Sequence, residues 1–318
     1  MIEVQNLVKM YGTHMAVDHL SFTIEKGKIY GFLGPNGAGK STTMNIMTGY
    51  LGATEGKVLI NGHDILKDPE EAKKCIGYLP ELPPLYMEMT VLEYLEFAAE
   101  LKKIPKKDRE GQIKSVIGLT KLGDVKDRLI QNLSKGYKQR VGLAQAILGF
   151  PEIIILDEPT VGLDPKQIIE IRELIRRLSK NHTVILSSHI LAEVKEICDY
   201  IMIISNGKLV ASDTTENLEN TIGNNGLIEL QAKADMESVK TVINRIDKVQ
   251  TAEYKNDGNV TTVQLTGKGN EDIREDIFFA FAKANLPLCT LTVEKTTLED
   301  IFLELTQGTS FKLKKGRK

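Results

Sequence analysis

Gly34-Pro35-Asn36-Gly37-Ala38-Gly39-Lys40-Ser41-Thr42 constrains this chain more tightly than any other stretch. A glycine, four residues and then Gly-Lys-Ser form the phosphate-loop pattern. The glycines let the backbone curl and turn its N–H groups inward. With the N-terminus of a following helix, those donors cradle a polyphosphate. Asn36, Gly37, Ala38, Gly39, Lys40, Ser41 and Thr42 are therefore the candidate nucleotide-binding residues. In this pattern Lys40 reaches the β- and γ-phosphates and the Ser41 hydroxyl ligates Mg²⁺. The flanks agree, because Lys28–Leu33 reads as an apolar strand and Ser41–Tyr50 as a helix that packs through Met44, Ile46 and Met47. Without such flanks the same glycines would describe an ordinary turn.

The spacing on either side predicts an α/β unit. Ile2–Lys9 and Leu20–Ile24 alternate as half-buried strands around a turn at Tyr11-Gly12. Gly56–Ile60 and Cys75–Leu79 read as further strands, with a hairpin turn at Asn61-Gly62 and a proline-rich loop at Pro80–Pro84. From Thr90 the period becomes helical. Thr90 and Glu93 make a capping box, and Val91, Leu92, Leu95, Ala98, Ala99 and Leu101 are the expected apolar face. Residues 90–150 thus read as a helical subdomain. Beyond it come strand Ile153–Leu156, helix Lys166–Leu178 with Ile168, Ile169, Ile171, Leu174 and Ile175 apolar, strand Thr183–Leu186, helix Ile190–Ile197, and a hairpin turning at Ser205-Asn206-Gly207.

A break at Thr221–Gly226 sets the expected boundary between a domain of residues 1–220 and one of 226–306. The second has the order strand Leu227–Ala232, helix Met236–Ile246 capped by Asp235, strand Val249–Tyr254, strand Val260–Thr266, helix Glu271–Ala284, strand Leu288–Val293. This βαββαβ order is ferredoxin-like, a small α+β domain. Leu298–Leu305 is helical, and residues 307–318 form a basic, disordered tail in this reading.

The second chemical feature is Asp157-Glu158, delivered by four apolar residues to the carboxyl end of a buried strand, where parallel sheets gather ligands. Asp157 is placed to hold Mg²⁺ through its water shell, and Glu158 to orient or deprotonate an attacking water. Alone, such a pair would be unremarked acids at a strand end. Composition narrows the class further. The net charge of −2 leaves no bulk attraction for nucleic acid. Cys75, Cys198 and Cys289 form no CxxC pair, which fits free thiols in a reducing compartment. There is no signal-peptide layout and no apolar run near the roughly 20 residues of a membrane span. The expectation is a cytoplasmic protein whose membrane role comes through a partner.

From Met1 to about Leu218 the chain resembles the ATP-binding subunits of ABC transporters. The resemblance implies a P-loop ATPase fold, with a mixed sheet and a helical subdomain, that hydrolyses Mg·ATP. It puts Tyr11 on the adenine ring, where an isolated tyrosine would read as packing. It puts Glu81 at the Q-loop, a glutamine in most members, as a ligand of Mg²⁺ or water. Leu133–Arg140 resembles the signature loop; Ser134 and Gly136 match it, Lys135 and Tyr137 depart. In the family this loop binds the γ-phosphate held by the opposite protomer, while Ser134 also suits a plain helix cap. Gly162–Pro165 resembles the D-loop, and His189 the switch histidine near the γ-phosphate. The catalytic set is then Lys40, Glu158 and His189, and the metal set Ser41, Glu81 and Asp157.

The implied partners are a second copy, with two ATP molecules between the halves, and integral-membrane permease subunits that hold this chain peripherally on the cytoplasmic face of the membrane. Gly77–Glu81 and Leu298–Leu303 resemble ATPases of exporters with separately encoded permeases. The loop Glu81–Met89 and the helix after Thr90 are the expected permease contact, and the C-terminal domain an accessory that steadies or modulates the dimer. The alternative is a soluble ABC ATPase acting on nucleic acid or the ribosome. Against it stand a single cassette and the lack of sustained heptads. A P-loop kinase leaves Ser134–Arg140 unexplained.

Overall fold

The computed structural model describes residues 1–221, 227–293 and 298–307. Most of the expected boundary stretch, residues 222–226, and the basic tail at Lys312–Lys318 lie outside the described residues. The chain forms two compact units, one of residues 1–215 with 305–307 and one of residues 216–304.

The first unit begins with β1 (Ile2–Tyr11) and β2 (His14–Ile24), then β3 (Ile29–Leu33), α1 (Lys40–Met47), β4 (Glu55–Ile60), β5 (His63–Asp64), α2 (Pro69–Lys74) and β6 (Ile76–Leu79). The helical stretch holds α3 (Val91–Leu101), α4 (Lys106–Leu119) and α5 (Lys135–Ile147). It returns to β7 (Ile153–Leu156), α6 (Pro165–Leu178), β8 (Thr183–Ser188), α7 (Leu191–Ile197), β9 (Tyr200–Ser205) and β10 (Lys208–Thr214), and α8 (Thr215–Thr221) then starts the second unit.

These strands make two sheets. An antiparallel sheet has the order β2-β1-β4-β5, and a six-stranded sheet the order β10-β9-β3-β8-β7-β6. In the larger sheet only the β9–β10 pair is antiparallel. Every residue of β3, β7 and β8 is buried, as strands covered on both faces require. Met44, Ile46 and Met47 of α1 share one core with Val4 and Phe22 of the small sheet and Phe32 and Ile155 of the large one. Each such side chain contributes about 1.5–3 kcal/mol on burial. The phosphate loop, which joins β3 to α1, therefore springs from the centre of the core.

Two helix faces differ from the sequence reading. The capping box forms as expected, with Thr90 N–H donating to Glu93 Oε2 at 2.7 Å and Glu93 N–H to Thr90 Oγ1 at 3.3 Å. The buried residues of α3, however, are Val91, Tyr94, Leu95, Ala98 and Ala99, while Leu101 is 65% exposed. A 3.6-residue period carries that face on to position 102 rather than 101. Lys102 accordingly lays its ammonium on the end of α5, donating to the carbonyls of Gln145 (2.7 Å), Ala146 (3.2 Å) and Leu148 (2.6 Å). Burial pushes its pKa down to about 8. On α6, Ile169 is 56% exposed, and Ile171, Leu174, Ile175 and Leu178 form the buried stripe. Sequence reasoning also passed over α2, which is too short for a period to show and buries only Ala72.

The second unit contains β11 (Leu227–Ala232), α9 (Met236–Ile243), β12 (Val249–Asp257), β13 (Val260–Gly267), α10 (Arg274–Lys283) and β14 (Leu288–Val293), with α11 (Leu298–Gln307) beyond. Its sheet order, β12-β13-β11-β14, is antiparallel throughout. Ile228, Leu230, Val263 and Leu265 alternate onto one face, which Val239, Ile243, Ile277 and Phe281 of the two helices cover. That is the ferredoxin-like arrangement. Asp235 caps α9, accepting from Ser238 N–H at 3.0 Å. The second helix starts later than Glu271, because Asp272 turns its carboxylate back onto Arg274 N–H at 3.1 Å. No helix among the described residues is long and apolar enough to cross a membrane.

Candidate active site

The phosphate loop takes the shape its glycines permit. Gly37 and Gly39 have φ of 79° and 104°, and a Cβ on Gly39 would lie 2.5 Å from the Ala16 carbonyl oxygen. Gly39 caps α1, whose first turn carries no acidic residue, so its N–H groups and dipole are left for an anion. Lys40, the first residue of the helix, is 6% exposed. Its ammonium donates to the Gly34 and Pro35 carbonyls at 2.8 and 3.2 Å. Burial pushes the Lys40 pKa down, against the pull of Glu158, Asp157 and Glu81.

The acidic pair stands across from the loop. Ser41 Oγ lies 3.3 Å from Asp157 Oδ1, and Ser187 Oγ donates to that same oxygen at 2.5 Å. Glu158 has φ 48°, an uncommon conformation for a residue with a Cβ. Its N–H is held by Ser187 Oγ at 2.9 Å. Its Oε1 is 4.0 Å from Lys40 Nζ, and its Oε2 is 2.9 Å from His189 Nδ1. A strand end, a helix start and the turn after β8 thus converge within one hydrogen-bonded cluster.

A cleft of about 490 Å³ opens over this cluster. Tyr11, Asn36, Gly37, Ala38, Gly39, Lys40, Ser41, Thr42, Glu81, Glu158 and His189 all line it. Asp157 sits behind Ser41 and lines an adjoining groove of about 800 Å³ together with Ser41, Tyr78, Glu81, Leu82 and Pro84. Ser134 and Gly136 are not among the residues that line either space. Ser134 is exposed and caps α5, accepting from Tyr137 N–H at 3.5 Å. Gly136 packs on Gln167, since a Cβ there would fall 2.5 Å from its side chain. Lys135, which departs from the signature pattern, lies over Gly162, its Nζ 2.0 Å from where a Cβ on that glycine would stand.

Two further residues belong to the site. His14 pairs directly across the β1–β2 hairpin from Tyr11 and lines the same cleft. Nothing in its sequence neighbourhood singles it out. Ser187 joins Asp157 to Glu158 through one hydroxyl; its signal was its place one strand position from Ser188-His189. Ser41, Asp157 and Glu81 offer hydroxyl and carboxylate oxygens alone, the donor chemistry of a hard cation. Among the described residues no cluster of three or more His, Cys, Asp or Glu forms a metal site by itself. A cation here fits as one that keeps water and phosphate oxygens among its ligands, as Mg²⁺ does.

Comparison with known proteins bears on this geometry. The sequence model of the ABC transporter family matches residues 17–161. The bacitracin transport ATP-binding protein BcrA of Bacillus licheniformis is 34% identical over 309 residues, 96% of this chain and 97% of that protein. The linearmycin resistance ATP-binding protein LnrL of Bacillus subtilis (strain 168) is 32% identical, over 97% of this chain and 99% of its own length. Among solved structures, an ATP-binding subunit of an ABC transporter superimposes with a TM-score of 0.65 at 31% identity, covering 70% of this chain and 93% of that one. A dimeric ATP-binding cassette in a post-hydrolysis state bound to ADP and Pi gives 0.62 at 26% identity, covering 67% and 98%.

Proposed function

This chain belongs to the ABC transporter family of ATP-binding proteins, and from that premise we propose that it is the ATPase that powers an exporter through nucleotide-driven closure of a dimer. One observation carries the reading. Glu158 stands between His189 at 2.9 Å and Lys40 at 4.0 Å and lines a cleft walled by the phosphate loop. In this reading Lys40 leaves its two carbonyls for the β- and γ-phosphates of ATP, and Tyr11 stacks on adenine. Ser41, Asp157 and Glu81 would hold Mg²⁺, which when bound neutralises charge on the phosphates. Glu158 orients a water in line with the γ-phosphate and takes its proton, while His189 holds the Glu158 carboxylate. The products are ADP and phosphate.

Ser134 and Gly136 lie off the cleft of their own chain, which supports a role in trans: the loop at the start of α5 completes the pocket of a second copy. The relatives named for bacitracin transport and linearmycin resistance support export as the direction, with permease subunits as the membrane partner and the cytoplasmic face as the place of work. The loop after β6 supports a docking position for the permease, because Leu82, which lines the groove, is 80% exposed and Tyr86, packed edge-on to Phe97 at 5.3 Å, is 51% exposed. Residues 1–220 are then the cassette, with its helical subdomain at 90–150, and residues 226–306 an accessory domain. No observation favours an ATPase acting on nucleic acid or the ribosome. The test is Glu158→Gln. It should bind Mg·ATP, accumulate as a dimer in analytical ultracentrifugation, and hydrolyse at least about 100-fold more slowly. Full turnover by this variant would overturn the assignment.

A further inference from the structure

Glu193, on α7, takes no part in the scheme above, yet it is a carboxylate only 4% exposed. One oxygen, Oε2, accepts from two hydroxyls, those of Thr160 at 2.6 Å and Ser188 at 3.2 Å. The other, Oε1, lies 3.9 Å from Arg172 Nη2 on α6, and that arginine also pairs with Glu196. Thr160 comes two residues after Glu158, and Ser188 immediately before His189. The two hydroxyls gathered on one oxygen therefore belong to the two chain segments that bring the Glu158–His189 pair together.

Burying a carboxylate is unfavourable unless it is hydrogen-bonded and paired, and an apolar side chain would fill the same space without that cost. Arg172 supplies the opposite charge, and the two hydrogen bonds both run to the margins of the catalytic pair. Backbone strain points the same way. Glu158 is held at φ 48°, and such a conformation persists only where the surroundings fix it. Ser187 anchors its N–H; the Thr160–Glu193 bond anchors the chain on its far side. Ser188 Oγ also accepts from Ile190 N–H at 3.0 Å, which directs its own proton to Glu193 and pins the turn that carries His189.

We propose that Glu193 is a positioning residue of the ATPase site: one buried carboxylate that keeps Glu158 and His189 in register without touching nucleotide. This inference rests on the roles given to Glu158 and His189 above. The full-length chain is tested as Glu193→Leu, Glu193→Gln and Thr160→Val, with Glu158→Gln alongside, by steady-state hydrolysis of Mg·ATP and thermal melting. Glu193→Leu and Thr160→Val should each lower kcat about 10- to 100-fold with KM for ATP unchanged, the effect of a small misplacement of catalytic groups. Glu193→Gln should recover most of the loss, because its amide oxygen still accepts both hydroxyl protons. Should Glu193→Leu fail to fold, Thr160→Val carries the same prediction, since it removes one donor and keeps the shape. Wild-type kcat in Thr160→Val, or a glutamine variant as slow as the leucine one, would overturn the inference. An inert Glu158→Gln beside fully active Glu193→Leu and Thr160→Val would remove the positioning role alone. A fully active Glu158→Gln would remove the reading beneath it and the inference together.

Discussion

Replacing Ser187 by alanine removes a single oxygen, yet that oxygen serves both acids of the site. It donates to Asp157 Oδ1 at 2.5 Å and accepts from Glu158 N–H at 2.9 Å, and the residue is fully buried. The variant leaves a buried N–H without a partner, which costs about 1–3 kcal/mol. It also deletes a hydrogen bond to a carboxylate, and bonds to charged groups contribute about 1.5–3 kcal/mol each. Non-additivity between neighbours brings the expected loss to about 2–4 kcal/mol. In a domain of this size each kcal/mol moves Tm by about 2–4 °C, so the melting temperature should fall by roughly 5–15 °C. The strained Glu158 backbone also loses its direct anchor, and kcat should fall at least about tenfold with KM for ATP little changed. Differential scanning calorimetry and steady-state ATPase assays read the two effects independently. A Tm shift below about 2 °C together with wild-type kcat would refute the argument that this hydroxyl fixes the acidic pair.

Other elements give equally direct expectations. Gly77→Ala would put a Cβ 2.1 Å from the Ala146 carbonyl oxygen, forcing α5 away from β6; a loss of about 1–3 kcal/mol should appear as a lower urea midpoint. Lys102→Met strips the donor from the last carbonyls of α5 and should cost about 1–3 kcal/mol by the same measurement. The Glu93 carboxylate is held below its usual range by the Thr90 N–H and hydroxyl. Its contribution to α3 is therefore complete above the unfolded value of about 4.3 and lost as pH falls through the lower folded value. The Tm difference between wild type and Glu93→Ala should accordingly be larger at neutral pH than in acid. Chelating Mg²⁺ with EDTA should abolish hydrolysis, and adding Mg²⁺ back should restore it, because Ser41, Asp157 and Glu81 offer oxygen ligands alone.

What could be read from the sequence was what local chemistry dictates. The phosphate loop shows itself through glycine spacing and its two apolar flanks. Asp157-Glu158 is visible because four apolar residues precede it, and the βαββαβ order of the second unit because Leu227–Ala232 and Val260–Thr266 alternate cleanly. The capping box at Thr90 is likewise local. What escaped is what tertiary contact decides. Leu101 is apolar but falls off the α3 stripe, and Lys102 is charged yet lies on it, because α5 ends there and offers carbonyls to an ammonium. Ser187, Thr160 and Glu193 matter through bonds that join residues about 30 positions apart, and no window of sequence displays such bonds. His14 reaches the cleft only because a hairpin sets it opposite Tyr11.

The central claim is that each copy finishes the nucleotide pocket of the other. A crystal structure of Glu158→Gln with Mg·ATP tests it most directly. The account predicts a dimer in which Ser134 Oγ of one copy lies within hydrogen-bonding distance, about 2.6–3.2 Å, of the γ-phosphate held by Lys40 of the partner subunit. A structure with ATP bound and Ser134 remote from every triphosphate would contradict it.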